Sequence, residues 1–192
     1  MILITRPKDQ STNLKSKLEK KGYDVFQEGF YKFQYQKKYI TYDSNQTYIF
    51  PSIHSVKSLK KNRQIHKLKN ANILVIGKKV KKILEEYGCQ NSIIVAPDSC
   101  SILKSISSSR HKKKKYIYFC SNIINEDFFH EAVKNKINIK KIVVYKTIGI
   151  KSFTKKLTDS LQNNKISGVI LYSQLAAKTF LRLLLKYKIM IN

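Results

Sequence analysis

Two serines stand where an apolar run gives way to a helical pattern. Tyr48-Ile-Phe-Pro-Ser52 leads into Val56 and Leu59, and Val169-Ile-Leu-Tyr-Ser173 leads into Ala177 and Phe180. At such a junction the hydroxyl and the first backbone N–H groups of the helix can hold a carboxylate. The same arrangement makes a plain helix cap, and one serine can do both. Gln174 either adds an amide donor beside Ser173 or is an exposed helix residue. Arg6 follows the run Ile2-Leu3-Ile4-Thr5, at the strand end where open α/β sheets bind ligands. Its guanidinium can pair with a carboxylate or brace a neighbouring loop. Gly77 closes Ile73-Leu74-Val75-Ile76 and permits close backbone approach.

Other chemistries find no support in the residues. The three cysteines, Cys89, Cys100 and Cys120, form no CxxC, and their number is odd, which argues against a disulfide framework or a zinc site. The four histidines are scattered without metal-ligand spacing, so no metal is expected. The longest apolar run, near Phe180 to Leu185, is broken by Arg182, so no bilayer span is expected. Met1 leads straight into a strand-like run rather than a secretory leader, so a cytoplasmic protein is expected.

The charge is the outlying quantity: 38 basic against 12 acidic residues, formally +26. It fits a polyanionic partner, nucleic acid or a ligand of many carboxylates. It also fits compositional drift of an AT-rich coding sequence, which the abundance of Lys, Asn, Ile and Tyr and only 6 glycines favour.

These residues sit in an alternation of short apolar runs and amphipathic segments. Ile2–Ile4 reads as a strand, followed by a helix with Leu14 and Leu18, capped by Asp9 or Ser11 and stopped at Gly22. Val25–Tyr35 is extended and aromatic. Strand-like runs recur at 48–50, 73–76, 92–96, 116–119, 142–145 and 169–172. Helical faces fall at Val80, Ile83, Leu84 and Tyr87; at Ile102, Leu103 and Ile106; at Phe128, Phe129 and Val133 behind an Asn125 cap; and at Phe153, Leu157 and Leu161. Arg110–Lys115 is a charge run expected in an exposed loop. The alternation predicts an α/β fold of parallel sheets covered by helices on both faces.

The two serine units align with one another. A weaker alignment joins Ile2–Ile4, Leu14, Leu18 and Val25 to Ile117–Phe119, Phe129, Val133 and Val143. Together they suggest two domains of like fold. The middle of the chain holds a serine unit, the Gly77 unit and the Tyr116 unit. The ends hold the opening unit and the Ser173 unit, and a counterpart of the Gly77 unit is expected after residue 192.

Thr5-Arg6-Pro7 after the first run, Ser52 with Val56, Val75-Ile76-Gly77, Val144-Tyr145-Lys146-Thr147, and Tyr172-Ser173 with Ala177 and Phe180 together resemble the uroporphyrinogen-III synthase family, in the family's order from residue 1 to about 187. The resemblance implies two doubly wound parallel-sheet domains joined by a two-stranded linker. Residues 1–34 plus 149–192 would form a discontinuous, incomplete domain. Residues 35–147 would form an inserted, complete one, with linkers near 30–36 and 143–148.

The resemblance also implies the reaction. Hydroxymethylbilane, a linear tetrapyrrole with eight carboxylates, loses its hydroxyl to give an azafulvene. A spiro intermediate then forms, and the last ring is inverted to give uroporphyrinogen III. The enzyme's task is to hold one conformation, and no cofactor is implied. Tyr145 is the implied catalytic residue, facing the substrate cleft, because a phenol with pKa ~10 is a proton donor that stays protonated at neutral pH. As one of 12 tyrosines it is also readable as a packed strand aromatic. Substrate-binding roles fall on Arg6, Ser52, His54, Gly77, Ser173 and Gln174. His54 stands where the family often has Asn, and Val80 where it usually has a hydrogen-bonding Thr. Cys120-Ser121 replaces a common Arg-Gly pair, with Cys120 read as a buried small residue. The implied partners are the small-molecule substrate and hand-over from hydroxymethylbilane synthase, with no membrane and no specific nucleic acid. A monomer is expected unless the incomplete domain drives association.

Two alternatives remain open on sequence. One is a basic nucleic-acid-binding α/β protein, supported by charge but by no recognisable binding motif. The other is a catalytically inactive, truncated remnant of the synthase.

Overall fold

A computed structural model describes residues 1–107 and 114–190. Along the chain lie β1 (Ile2–Ile4), α1 (Lys8–Glu19), β2 (Val25–Gln27), β3 (Tyr31–Tyr35), β4 (Gln46–Phe50), α2 (Ile53–Lys61), β5 (Asn72–Ile76) and α3 (Lys78–Glu86). Then follow β6 (Ile93–Ala96), α4 (Ser99–Ser107), β7 (Lys115–Ser121), α5 (Glu126–Lys134), β8 (Asn138–Gly149), α6 (Lys155–Gln162), β9 (Gly168–Ile170) and α7 (Gln174–Tyr187). The charge run at 110–115 falls largely outside the described residues, and its last member, Lys115, opens β7. No helix among the described residues is long and apolar enough to cross a membrane.

The chain divides into two compact units, Met1–Lys32 with Thr147–Asn192, and Phe33–Lys146. Both divisions fall within strands, β3 on the way out and β8 on the way back, and these strands are neighbours in one sheet.

The second unit is built on the strand order β3-β8-β7-β4-β5-β6, in which β8, β7, β4, β5 and β6 run parallel to one another. Its strands are continuous apolar runs because both faces are covered. On one face Tyr48, Phe50, Ile73 and Val75 pack with Val56 and Leu59 of α2 and Val80 and Leu84 of α3. On the other, Ile49, Leu74 and Tyr118 pack with Ile102 and Ile106 of α4 and with Phe128, Phe129 and Ala132 of α5. Helices therefore leave β4 and β7 toward opposite faces, which makes the gap between the tips of these strands the topological switch point of the sheet.

The first unit carries a three-stranded parallel sheet, β2-β1-β9. Leu3 and Phe30 pack there with Phe153, Leu157 and Leu161 and with Ala176, Phe180 and Leu183 of α7. Glu28 ties β2 to α6, its carboxylate accepting from the Thr154 backbone N–H at 3.0 Å and from the Thr154 hydroxyl.

Four local expectations are corrected. The cap of α1 is neither Asp9 nor Ser11 but Pro7, whose missing N–H costs nothing at a helix start. Ser11 lies inside the helix and donates back to the Pro7 carbonyl at 2.9 Å. Val133 does not face the core of α5, for it is 72% exposed while Ala132 is fully buried. Ala132 lies four residues from Phe128 and three from Phe129, on the stripe that meets the sheet. Phe153 is buried but precedes α6, which starts after its Thr154 cap. Finally, β9 ends at Ile170, where pairing with the short β1 stops, so Leu171 and Tyr172 are exposed.

Candidate functional site

The second unit gathers Tyr145 of β8 with Ser52 and His54, which follow the carboxyl end of β4. Ser52 is the N-cap of α2, its hydroxyl accepting from the His54 backbone N–H at 3.2 Å. Extended backbone at Ser52 (φ −152°) turns the chain from strand to helix. The same side chain hydrogen-bonds the phenol of Tyr145. Burial pushes the Tyr145 pKa above its ordinary value of 10.0, and the bond from Ser52 pulls in the opposite direction as the smaller effect. Tyr145 is therefore a neutral phenol near pH 7, held in a largely dry setting at 7% exposure.

His54 is buried on the first turn of α2. Its ring stacks on Phe33 with centroids 3.5 Å apart, and Nδ1 lies 3.2 Å from the Tyr35 hydroxyl. Tyr145 completes the cluster, 5.7 Å from His54 and 6.0 Å from Phe33 between ring centroids. Sequence reasoning missed Phe33 and Tyr35. Their alternation in β3, with Gln34 outward, was the available signal.

Gly77 caps α3 with φ +83°, a backbone conformation that favours glycine. Its N–H donates to the Ala96 carbonyl at 2.9 Å. Val80 is buried in the core with α3's inward face, so an apolar residue there serves packing. Cys120 is buried too, its thiol 3.6 Å from the Ile142 carbonyl and its pKa pushed up to about 11 by burial, which rules it out as a nucleophile near neutral pH.

Arg6, Ser173 and Gln174 lie in the first unit. Arg6 follows β1, donates from Nε to Gln10 Oε1 at 3.1 Å and lies 5.2 Å from the Tyr172 ring centroid. It also hydrogen-bonds Tyr31, whose pKa is raised by burial and drawn back by the guanidinium. Arg6 is thus held by three side chains, Gln10, Tyr172 and Tyr31, and none of these contacts was foreseen. Ser173 is the N-cap of α7, accepting from the Ala176 N–H at 3.1 Å, and both it and Gln174 are exposed. No group of three or more potential metal-ligating side chains occurs among the described residues.

The sequence model of the family described as Uroporphyrinogen-III synthase HemD matches residues 12–191. The chain belongs to the uroporphyrinogen-III synthase family. Membership carries the family's function, a lyase reaction of tetrapyrrole biosynthesis that produces uroporphyrinogen III. Solved structures agree in fold. The crystal structure of uroporphyrinogen-III synthetase from Helicobacter pylori 26695 is similar over 94% of this chain and 76% of that chain, with 19% identity and a TM-score of 0.63. A mutant uroporphyrinogen III synthase from the extremely thermophilic bacterium Thermus thermophilus is similar over 94% and 75%, with 10% identity and a TM-score of 0.57. No curated protein matches the chain.

Proposed function

We propose that this chain closes hydroxymethylbilane with Tyr145 as the proton donor to the departing hydroxyl. The observation that carries this is the pairing of a buried, neutral phenol with the Ser52 hydroxyl at the end of β4. Burial keeps the proton on Tyr145 until it is needed, and the Ser52 bond eases the transient phenolate. The hydroxyl leaves as water with the phenol's proton, and the phenolate recovers a proton from the pyrrole N–H made acidic by that loss. The resulting azafulvene then closes on the last ring.

Ser52, His54 and Gly77 in the second unit, and Arg6, Ser173 and Gln174 in the first, are the proposed substrate-binding residues. Each serine offers a hydroxyl at a helix start, where backbone N–H groups favour an anion. The proposed supply of the bilane is hand-over from hydroxymethylbilane synthase.

The two units are proposed to be domains of like fold. The strand orders β2-β1-β9 and β8-β7-β4 support this, since each places an opening strand between the strand that follows it and a serine-tipped strand.

The test generates hydroxymethylbilane in situ, adds the protein, oxidises the products and separates porphyrin isomers I and III. Isomer III is expected to be enriched, and the enrichment lost or weakened in Tyr145→Phe. Isomer I alone, from protein shown to be folded, overturns the reading.

A further inference from the structure

The first unit keeps an open sheet edge at β2. This strand stands last in the order β2-β1-β9, with β1 on one side only. The register pairs Ile2 with Val25 and Ile4 with Gln27. The Ile2 N–H donates to the Asp24 carbonyl at 2.7 Å, and the Glu28 N–H to the Ile4 carbonyl at 3.1 Å. Asp24, Phe26 and Glu28 therefore turn their backbone groups to β1, and Val25 and Gln27 turn theirs outward. The N–H and C=O of these two residues have no backbone partner among the described residues.

That edge floors a groove of about 600 Å³. Its walls come from opposite faces of the sheet. Gln27 points to α1, where its amide donates to the Ser11 hydroxyl. Phe26, one residue earlier, points to α6, with the Lys156 ammonium 5.8 Å from its ring centroid. Lys8 and Lys15 line the α1 wall, and Lys156 the α6 wall. Lys8 and Lys15 share one face of α1 two turns apart, about 10 Å along the axis. That is the length of about three extended residues. Lys15 meets Glu19 at 3.5 Å, but both side chains are solvent-exposed and such a pair is weak. The carboxylate in the lining, Glu28, is committed to the N–H and hydroxyl of Thr154. The groove is thus positive on both walls, above backbone groups spaced as in a strand ladder.

We propose that the β2 edge is a docking surface for an extended acidic segment of another polypeptide, which adds a strand to the sheet beside β2. Its backbone bonds the outward groups of Val25 and Gln27, and its carboxylates lie among Lys8, Lys15 and Lys156. The ladder geometry calls for a strand, and the lysines set the sign of its charge. Lysines beside an edge also serve simply to repel other strands, and the test separates the two roles.

The protein is titrated with the peptide acetyl-EEVEVEE-amide and with the same peptide carrying proline at both valines, which keeps the charge but cannot complete a ladder. Affinity is read by fluorescence anisotropy, and amide hydrogen exchange residue by residue. The valine peptide is expected to bind roughly tenfold more tightly than the proline peptide, as loss of ladder bonds implies. It should slow exchange at Val25 and Gln27 roughly tenfold and leave Phe26, already bonded to β1, unchanged. Lys8→Glu and Lys156→Glu should each weaken binding severalfold, the difference shrinking as salt is raised. Val25→Pro deletes an N–H that β1 does not use and should weaken binding about fivefold, with the thermal midpoint unmoved because edge strands accept proline. If Val25→Pro melts lower, the exchange pattern in wild type decides. Equal binding of the two peptides, no slowing at Val25 and Gln27, or an unchanged Kd in both lysine variants would show that the lysines only guard the edge, and would overturn the proposal. Uroporphyrin III that slows exchange at Val25 and Gln27 where the peptide does not would assign the groove to a small polycarboxylate and overturn it as well.

Discussion

Ser121 pairs with Tyr145 across β7 and β8 and passes over Val144. The preceding pair is Cys120 with Val143, so Val144 is the extra residue of a β-bulge. Regular alternation would place Val144 and Tyr145 on opposite faces of the sheet. Both instead enter the cluster covered by α2 and α3, while Val143 packs against the cluster under α4 and α5. The bulge is thus the reason that Tyr145 stands beside Ser52 and His54. It is fastened through the Val144 carbonyl, which accepts from the Gln36 N–H at 2.8 Å and from the Ser58 hydroxyl of α2.

That fastening gives the first prediction. Ser58→Ala removes a buried bond but leaves the Gln36 bond in place, so it should cost about 1 kcal/mol in a denaturant melt. If the bond also aims Tyr145, kcat for isomer III should fall about tenfold with KM little changed, the pattern of an interaction realised in the transition state. A protein destabilised as expected but with unaltered kcat would show that Ser58 only packs.

Tyr145 and Ser52 give the second. Tyr145→Phe removes the proposed acid and should lower kcat roughly a hundredfold, within the range for general acids. Ser52→Ala removes a helix cap, about 1 kcal/mol, and also the bond that lowers the Tyr145 pKa. Since that pKa already lies above 10.0, the alkaline limb of kcat in wild type should fall above pH 10. In Ser52→Ala it should move higher still. An alkaline limb that does not respond to Ser52→Ala would disconnect the two residues.

The strands were legible because strands buried on both faces read as unbroken apolar runs, as in Ile73–Ile76 and Tyr116–Phe119. The caps Ser52, Asn125 and Ser173 were legible because each carries a short polar side chain just before an apolar helical face. The cap at Pro7 was not, since proline lacks the side-chain acceptor that such a reading looks for. The bulge at Val144 and the stack of His54 on Phe33 were also hidden. Each joins segments that are distant in sequence, and neither leaves a periodic trace along one of them. Arg6 and Ser173 could be named as strand-end residues from sequence, but the hold of Tyr31 and Tyr172 on Arg6 required the fold.

The cysteines give a third prediction. Cys100 is exposed, whereas Cys89 and Cys120 are buried and their thiol pKa values are raised by burial, that of Cys120 to about 11. Reaction requires both access and thiolate. In native protein at pH 8, a thiol reagent should modify Cys100 rapidly and the other two only at the rate of opening. Adding denaturant should make all three react quickly. Rapid native labelling of Cys120 in a Cys100→Ser variant would contradict the packing described at the tip of β7.

The last prediction concerns alkaline stability. Burial raises the pKa values of Tyr31, Tyr48, Tyr116, Tyr118 and Tyr145 above 10.0, and those of Cys89 and Cys120 above 9.0. Above those ordinary values the unfolded chain has released protons that the native protein still holds. Stability therefore falls as pH rises, because the unfolded state binds fewer protons. These groups contribute no pH dependence below about pH 8. Their loss should begin near pH 9 with the thiols and steepen above pH 10 with the phenols. Chemical denaturation at intervals from pH 7 to 11 should show this shape. In Tyr118→Phe, which removes the most strongly shifted phenol, the decline above pH 10 should be shallower. An identical decline in that variant would mean that the Tyr118 hydroxyl reaches solvent in the folded protein, contrary to its place under α5 against Phe128 and Phe129.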